Sequence, residues 1–108
     1  MKVSELACLE GFGTIAMPDG EREINGVYIG DLLSWVMGRA NADNAWITIM
    51  SNINIIAVAS LADVSCIILS EGVTVDDEII ATAEQKEINI LSSALPSYET
   101  AVKISEMI

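Results

Sequence analysis

Two short apolar runs, residues 46–50 and 65–69, constrain the fold of this chain more than any other feature of its sequence. Both are rich in β-branched or aromatic side chains, which is typical of buried strands. The residues between them, 52–63, are dense in Ala and contain neither Gly nor Pro, and Ser51 or Asn52 stands where an N-cap is expected, so a helix is predicted. Two buried strands joined by one helix form a βαβ unit, which requires parallel strands and a right-handed connection.

The segments on either side of this unit predict further helices and strands. Residues 12–17 and 24–29 have the composition of strands and flank a Pro-Asp-Gly turn, so we expect them to pair as a hairpin. Asp31 is placed to cap a helix that ends at Gly38. The remaining predicted elements are a helix at residues 3–10, a helix whose first turn is 76–78, a strand at 88–91 and a last helix from 96 to 107.

These elements together predict an α/β fold. Strands that alternate with helices favour a three-layer α/β/α architecture with a mainly parallel sheet of about five strands. A chain of 108 residues is predicted to form one domain, residues 1–108. Hydrophobic residues make up 52% of it, yet the longest apolar run falls far short of the roughly 18 residues that a membrane span needs.

The charge balance limits the partners of the chain. Sixteen acidic and five basic residues give a net charge of −11. Such a chain repels phosphate backbones and anionic lipid, so neither nucleic acid nor a membrane surface is an expected partner. The first residues lack the basic segment, apolar core and cleavage site of a secretory signal, which indicates a cytoplasmic protein. In that compartment the two cysteines, Cys8 and Cys66, are expected to stay unpaired.

Several kinds of catalytic machinery are missing from the sequence. There is no histidine, the commonest general base and the commonest transition-metal ligand. Two isolated cysteines do not approach the spacing of a zinc or iron-sulfur site, and no Lys follows a glycine-rich phosphate loop. We therefore predict no metal site, no cofactor and no kinase or nucleotide-hydrolysing activity.

Polar residues and glycines follow the predicted strands at their carboxyl ends, where open parallel sheets bind ligands. The candidate ligand-binding residues are Asp31, Ser51, Asn52, Ser70, Glu71 and Gly72. Free backbone N–H groups and hydroxyls at such turns hold an anion or a nucleotide in a small pocket. The alternative is that these residues are helix caps and turn formers, which is their usual role. Asp31 and Glu71 also weigh against a bound phosphate unless a divalent cation accompanies it.

The larger aromatic side chains have two interpretations. Trp35, Trp46, Tyr28 and Tyr98 carry rings that are able to stack on a base. At the helix and strand spacings of this chain, such residues are more often found in a core or an interface, and that is the prediction for all four.

The predicted helix at residues 52–63 is apolar on most of its sides. Because one sheet and its neighbours do not cover all sides of a helix, we predict a homodimer or higher oligomer that buries its outer face. The predicted interface residues are Ile53, Ile56, Val58 and Leu61. The alternative is that the helix is internal to the monomer, with the terminal helix folded over it.

Residues 49–59 and 67–72, followed by the acidic helix start at 76–78, resemble the DRTGG-domain family. In that family a strand leads through an Asp-Arg turn into an Ile- and Ala-rich helix, and the next strand ends in Leu-Thr-Gly-Gly. This chain has Asn52-Ile53 at the first position and residues 70–72 at the second, so it departs from both signatures. The resemblance implies the fold of the N-terminal domain of HPr kinase/phosphorylase, without the catalytic half of that kinase. It also implies a likeness to regulatory inserts of phosphotransacetylases and CBS-domain pyrophosphatases.

The leading functional hypothesis is a non-catalytic regulatory or protein-interaction module that is oligomeric and senses a small polar ligand such as a nucleotide. The resemblance also implies an alternative, because small stand-alone relatives tend to be encoded near hydrogenase and ferredoxin-type proteins. In this alternative the chain is an accessory subunit that docks to such a redox complex, with its acidic surface on a basic patch. A second alternative is an enzyme acting on a phosphorylated metabolite, for which Asp31 and Glu71 are the only candidate acids or bases near the expected crevice.

Overall fold

A five-stranded sheet forms the centre of the protein, and the computed structural model describes all residues from 1 to 108. The strands are β1 (Phe12–Ala16), β2 (Gly26–Ile29), β3 (Asn44–Thr48), β4 (Cys66–Leu69) and β5 (Ile90–Ser93). The helices are α1 (Val3–Ala7), α2 (Leu33–Arg39), α3 (Asn54–Ala62), α4 (Asp77–Gln85) and α5 (Ser97–Ser105). The strand order is β1-β5-β4-β3-β2, and only β1 is antiparallel to its neighbour.

The predicted βαβ unit is formed by β3, α3 and β4. The two strands are parallel, with Ala45 opposite Cys66 and Ile47 opposite Ile68. Every residue of both strands is buried. A parallel sheet is covered on both faces by its crossover helices, which explains why these strands read as continuous apolar runs instead of alternating ones.

Helices cover both faces of the sheet. Alternate residues of each strand point to opposite faces, so that Ile67 and Leu69 pack on the α2, α3 and α4 side while Cys66 and Ile68 pack on the α1 and α5 side. The prediction of a three-layer α/β/α fold with a mainly parallel sheet is therefore confirmed. None of the helices has the length and hydrophobicity needed to span a bilayer.

The predicted hairpin between the first two strands is wrong. β1 and β2 lie at opposite edges of the sheet, and β1 pairs with β5, with Phe12 opposite Ser93. The segment after the turn bonds instead to the beginning of the chain, because Ile24 N donates to Met1 O at 2.8 Å. Ile24 is thereby buried beside Val3. Burial of this apolar pair outweighs the local turn signal, which acts only on residues close in sequence.

The aromatic residues divide between core and surface. Trp46 is fully buried, and its Nε1 donates to Gly30 O at 2.8 Å. Tyr28 is half-buried against the core, whereas Trp35 is 52% exposed and Tyr98 is 73% exposed. The prediction of a core position is therefore wrong for Trp35 and Tyr98 within this chain. The guanidinium of Arg39 lies 3.7 Å from the centroid of the Trp35 ring, an arrangement that stabilises an exposed indole.

The exposed apolar surface of α3 is smaller than the sequence predicts. Ile56 and Val58, two of the four predicted interface residues, are buried within the chain itself and pack in the core. The prediction that Ile56 and Val58 lie in a dimer interface is therefore wrong. Ile53 and Leu61 remain exposed, at 41% and 71%. The terminal helix does not cover α3, since α5 lies on the other face of the sheet.

Candidate functional site

The carboxyl ends of the four parallel strands lie at one edge of the sheet, and β1 begins there because it runs antiparallel to β5. A cleft of about 600 Å³ opens at this edge on the α4 side. Its walls are residues 11–15 of the β1 region, residues 92–94 at the end of β5, residues 72–75 before α4, and Ile80 of α4. This cleft is the largest concave feature at the edge where α/β proteins bind ligands.

The chain reaches the cleft through a left-handed turn at the end of β4. Glu71 and Gly72 both have positive φ, 60° and 69°. Glu71 N donates to Leu95 O at 2.9 Å, and Gly72 N donates to Ser93 O at 3.0 Å. These bonds carry the backbone across the end of β5, so that the following residues form one wall of the cleft. Gly at position 72 is favoured because other side chains rarely adopt this conformation.

On the opposite wall of the cleft, a glycine in β1 lies against a serine in β5. Gly13 of β1 lies opposite Ser92 of β5. A Cβ at position 13 would lie 2.8 Å from Ser92 Oγ, closer than side-chain atoms normally approach. The absence of a side chain at Gly13 therefore leaves the Ser92 hydroxyl accessible from the cleft, where it forms no hydrogen bond within the chain.

Hydroxyl pairs on the other face of the same edge have a structural role. Ser70 Oγ lies 2.7 Å from Ser97 Oγ, and Ser93 Oγ lies 2.7 Å from Thr100 Oγ1. Ser70, Ser93 and Thr100 are buried. The two pairs attach the first turn of α5 to the ends of β4 and β5, so the predicted ligand residue Ser70 directs its hydroxyl at α5 and away from the cleft.

The predicted residues at the other end of the edge bond to their own neighbourhood. Asp31 does not cap α2, which begins after Leu32 without a side-chain cap. Its carboxylate instead accepts hydrogen bonds from Thr48 Oγ1 at 2.9 Å and from Ile49 N at 3.0 Å. Asn52 Oδ1 accepts from Asn54 N at 2.9 Å. Asn52 thus has the alternative role of a turn former, whereas Asp31 joins the segment after β2 to the end of β3.

The six predicted ligand residues are not brought together. Gly72 lines the cleft, and Ser70 and Glu71 precede it at the end of β4. Asp31, Ser51 and Asn52 follow β2 and β3, on the far side of β4 from the cleft. A role in ligand binding stays a prediction for all six.

Sequence reasoning missed the cleft residues contributed by the β1 region, chiefly Gly11 and Gly13, and it placed Ser92 at the carboxyl edge without including it among the ligand-binding residues. The glycines at 11 and 13 were a visible signal, but the hairpin assignment placed them at the wrong edge of the sheet. Only the pairing of β1 with β5 brings Gly13 and Ser92 together.

No side chain that lines the cleft is charged or carries an ionisable thiol or phenol. Burial raises the pKa of the Cys66 thiol to about 12, so this inner cysteine is an unreactive packing residue. Cys8 is exposed. No group of three or more His, Cys, Asp or Glu side chains is placed to hold a metal ion.

These features define a class of protein, a small α/β domain with a ligand-sized cleft at the carboxyl edge of its sheet. Residues 13–107 match the DRTGG domain family, so the chain belongs to that family. The resemblance stated from its sequence is thus confirmed. No individual curated protein matches the sequence at a significant level.

A solved structure supports the same fold. It contains the CBS and DRTGG domains of the regulatory region of Clostridium perfringens pyrophosphatase, complexed with its activator diadenosine tetraphosphate. The TM-score is 0.72 at 15% sequence identity, and the match covers 94% of this chain. The match covers 44% of the other chain, so this chain corresponds to less than half of that regulatory region.

Proposed function

We propose that this chain is a non-catalytic regulatory module that binds a small polar ligand of nucleoside or nucleotide size in the cleft between β1, β5 and the segment before α4. The observation that carries the proposal is the cleft itself, about 600 Å³ in volume and lined by glycines, hydroxyls and aliphatic side chains. Ligand pockets commonly have this size and this mixture of apolar walls with a few polar groups. Membership of the DRTGG family and the nucleotide activator of the regulatory region with the same fold support it.

The composition of the cleft supports the non-catalytic part of the proposal. A general acid or base must lie within hydrogen-bond reach of the reacting group, and no carboxylate, amine or imidazole lines the cleft. Ser92 has a hydroxyl, but no base among the lining residues activates it as a nucleophile. Asp31, a candidate acid of the enzyme alternative, lies at the other end of the edge and bonds to Thr48.

A thermal-shift screen tests ligand binding. Purified protein is heated with individual nucleosides, nucleotides and phosphorylated metabolites, with and without Mg²⁺, because a ligand that binds the folded state raises Tm by mass action. We expect at least one compound to raise Tm for the wild type and to have no effect on Ser92→Phe, whose ring fills the cleft. Ser34→Phe, an exposed substitution on α2 outside the cleft, is the matched control and should respond as the wild type does. Failure of every compound to stabilise the wild type would overturn the proposal.

Self-association is the second part of the proposed regulatory role, through a groove of about 470 Å³ between α3 and α4. Ile53 and Leu61 line it with their exposed apolar side chains. The residues that line the groove include Lys86 and no carboxylate. Two copies of this strongly acidic chain therefore avoid repulsion between lining carboxylates when they meet at the groove. We take the partner in this groove to be a second copy of the chain, because most soluble oligomers are two-fold symmetric homo-oligomers.

Sedimentation at micromolar concentration tests this interface. We expect a dimer for the wild type and for Ser34→Asp, and a monomer of 11.5 kDa for Leu61→Asp, whose carboxylate would lose its hydration in the interface. A wild-type protein that sediments as a monomer would contradict the dimer, and a Leu61→Asp protein that stays dimeric would place the interface elsewhere.

A further inference from the structure

We infer that the ligand moiety held in the carboxyl-edge cleft is an uncharged nucleoside whose base carries an amino group, and that phosphate groups are kept out of it. This inference rests on the proposed ligand-binding function and specifies its ligand. It follows from which hydrogen-bonding groups around the cleft are already used, which remain free, and where the charges of the chain lie.

Four backbone N–H groups beside the cleft, three of them in the turn at the end of β4, are already used in hydrogen bonds within the chain. The turn at the end of β4 has the left-handed residues and glycine that are common in anion-binding loops. Its N–H groups nevertheless donate to carbonyl oxygens of the chain, Glu71 N to Leu95 O, Gly72 N to Ser93 O, and Val73 N to Ser70 O at 3.1 Å. Ala94 N on the facing wall donates to Gly11 O at 3.0 Å. None of these donors is free for a phosphate oxygen.

The helix N-terminus beside the cleft is also unsuited to an anion. α4 begins directly after the wall formed by residues 72–75, and its N-cap Asp76 accepts a hydrogen bond from Ile79 N at 3.1 Å. Asp77 and Glu78 follow in the first turn. The positive end of this helix is thus already matched by three carboxylates, which repel a phosphate.

The basic side chains of the chain are held away from the cleft. Lys2 pairs with Glu21 at 2.7 Å, and Arg22 bonds to Asp43 at 2.7 Å and to Asp63 at 3.1 Å. Arg39 lies over Trp35, Lys86 lines the α3 and α4 groove, and Lys103 is in the last turn of α5. A phosphate in the cleft would find no cation to offset its charge.

The groups that remain free suit a donor-bearing heterocycle. The carbonyl oxygens of residues 72–75 accept no hydrogen bond within the chain, and the N–H groups of Thr74 and Val75 donate none. The free Ser92 hydroxyl lies on the facing wall. The hydroxyls of Thr14 and Thr74 also line the cleft without a partner in the chain, and each of the three hydroxyls serves as donor and acceptor. The four carbonyl oxygens therefore leave more acceptors than donors, which favours a ligand that brings several N–H or O–H groups, as an amino-substituted base and a ribose do.

Aliphatic side chains complete the match to a planar ring. Ile15, Val73, Val75 and Ile80 line the same cleft. They offer apolar surface to the faces of a base, while the peptide groups and hydroxyls reach its polar edge. A free sugar has no comparable apolar face, and a free phosphate has neither the face nor the donors.

Calorimetric titration of the wild type with adenosine, uridine and ATP tests the inference. We expect adenosine to bind more tightly than ATP, because the triphosphate adds charge next to three carboxylates, and more tightly than uridine, whose base has no amino group. Ser92→Ala should weaken adenosine binding about five- to tenfold through loss of one hydrogen bond.

Adding a positive charge to the cleft wall tests whether charge sets the ligand preference, because a change in packing alone would not favour ATP over adenosine. Thr74 is exposed on the wall of the cleft, so Thr74→Lys adds a cation there without disturbing the core. We expect this variant to shift the preference from adenosine toward ATP, whereas Ser34→Lys on α2 leaves it unchanged.

The outcomes separate this inference from the proposed function. Tighter binding of ATP than of adenosine by the wild type, or equal binding of uridine and adenosine, would overturn the inference while leaving a ligand-binding module. Absence of binding by any of the three, together with a negative thermal-shift screen, would overturn both.

Discussion

The two ends of the carboxyl edge carry similar residue types, but Asp31 at one end and Ser92 at the other differ in whether their side chains bond within the chain. At the β2 and β3 end, the carboxylate of Asp31 accepts hydrogen bonds from Thr48 and Ile49. At the β1 and β5 end, the Ser92 hydroxyl and the peptide groups of Thr74 and Val75 have no partner within the chain. Position at the carboxyl edge therefore does not by itself make a ligand site, because satisfied polar groups hold the fold together and only unsatisfied ones are available to a ligand.

The largest effect is expected at the β2 and β3 end, where Trp46 is buried and joins β3 to Gly30 at the end of β2. Trp46→Ala should lower the free energy of unfolding by about 3–5 kcal/mol, from the cavity and the lost hydrogen bond. That corresponds to a fall in Tm of more than about 10 °C for a domain of this size. Trp35→Ala is the matched control, since its exposed ring loses only the contact with Arg39 and should cost less than about 1 kcal/mol. Similar Tm values for the two variants would contradict the buried role of Trp46.

A smaller effect is expected for Asp31→Ala, which removes the acceptor of two hydrogen bonds while leaving the buried Thr48 hydroxyl with one partner fewer. Because Asp31 itself is exposed, the expected loss is about 1–2 kcal/mol in chemical denaturation. Asp31→Asn retains an acceptor oxygen and should recover much of this loss. Ligand affinity should be the same in all three proteins. A variant that lost ligand binding at unchanged stability would instead place the site at the β2 and β3 end.

At the cleft end the balance should be reversed, with a small effect on stability and a large one on binding. Gly13→Ala places a Cβ where only 2.8 Å separates it from Ser92 Oγ, so the hydroxyl must move. We expect a destabilisation of about 1 kcal/mol and a loss of ligand affinity.

Gly38→Ala is the control for this substitution. Its added Cβ meets nothing within 4 Å, and the position lies in α2. Alanine there should stabilise the protein by about 0.5–1 kcal/mol, because it lowers the entropy lost on helix formation, without changing ligand binding. If Gly13→Ala binds the ligand as tightly as the wild type does, the ligand does not bind in the cleft.

No phosphorylation is expected when the purified protein is supplied with ATP and a serine-containing substrate. Phosphoryl transfer requires a phosphate loop or its equivalent, a cation on the phosphates and positioned metal ions, and neither end of the carboxyl edge carries these parts. Phosphorylation of the substrate by purified protein, followed by mass spectrometry, checks this. ATP-dependent phosphorylation that disappears in Ser92→Phe would show that the cleft is an active site.

Much of the fold was predictable from local patterns. The βαβ unit of β3, α3 and β4 follows from two apolar runs and one Ala-rich segment, and its boundaries differ from the prediction by a few residues. Helix and strand periods depend on residues near one another in sequence, so the alternation of elements, the three layers and the family resemblance were all available without tertiary structure.

The candidate site was predictable only as an edge of the sheet. The sequence could not show that Asp31 bonds to Ile49, that Ser70 bonds to Ser97, or that Gly13 lies against Ser92. Each of these pairs joins segments that are distant in sequence, and the last depends on β1 crossing to the far edge of the sheet instead of forming a hairpin.

The sequence by itself therefore determined the class of fold, the absence of histidine and the acidic character of the chain. Tertiary structure alone decided which strand stands at each edge, which side of α3 is exposed and which polar groups at the carboxyl edge are left without partners. The physical reason is that helix and strand preferences are local, whereas burial and hydrogen-bond satisfaction depend on which distant segments meet.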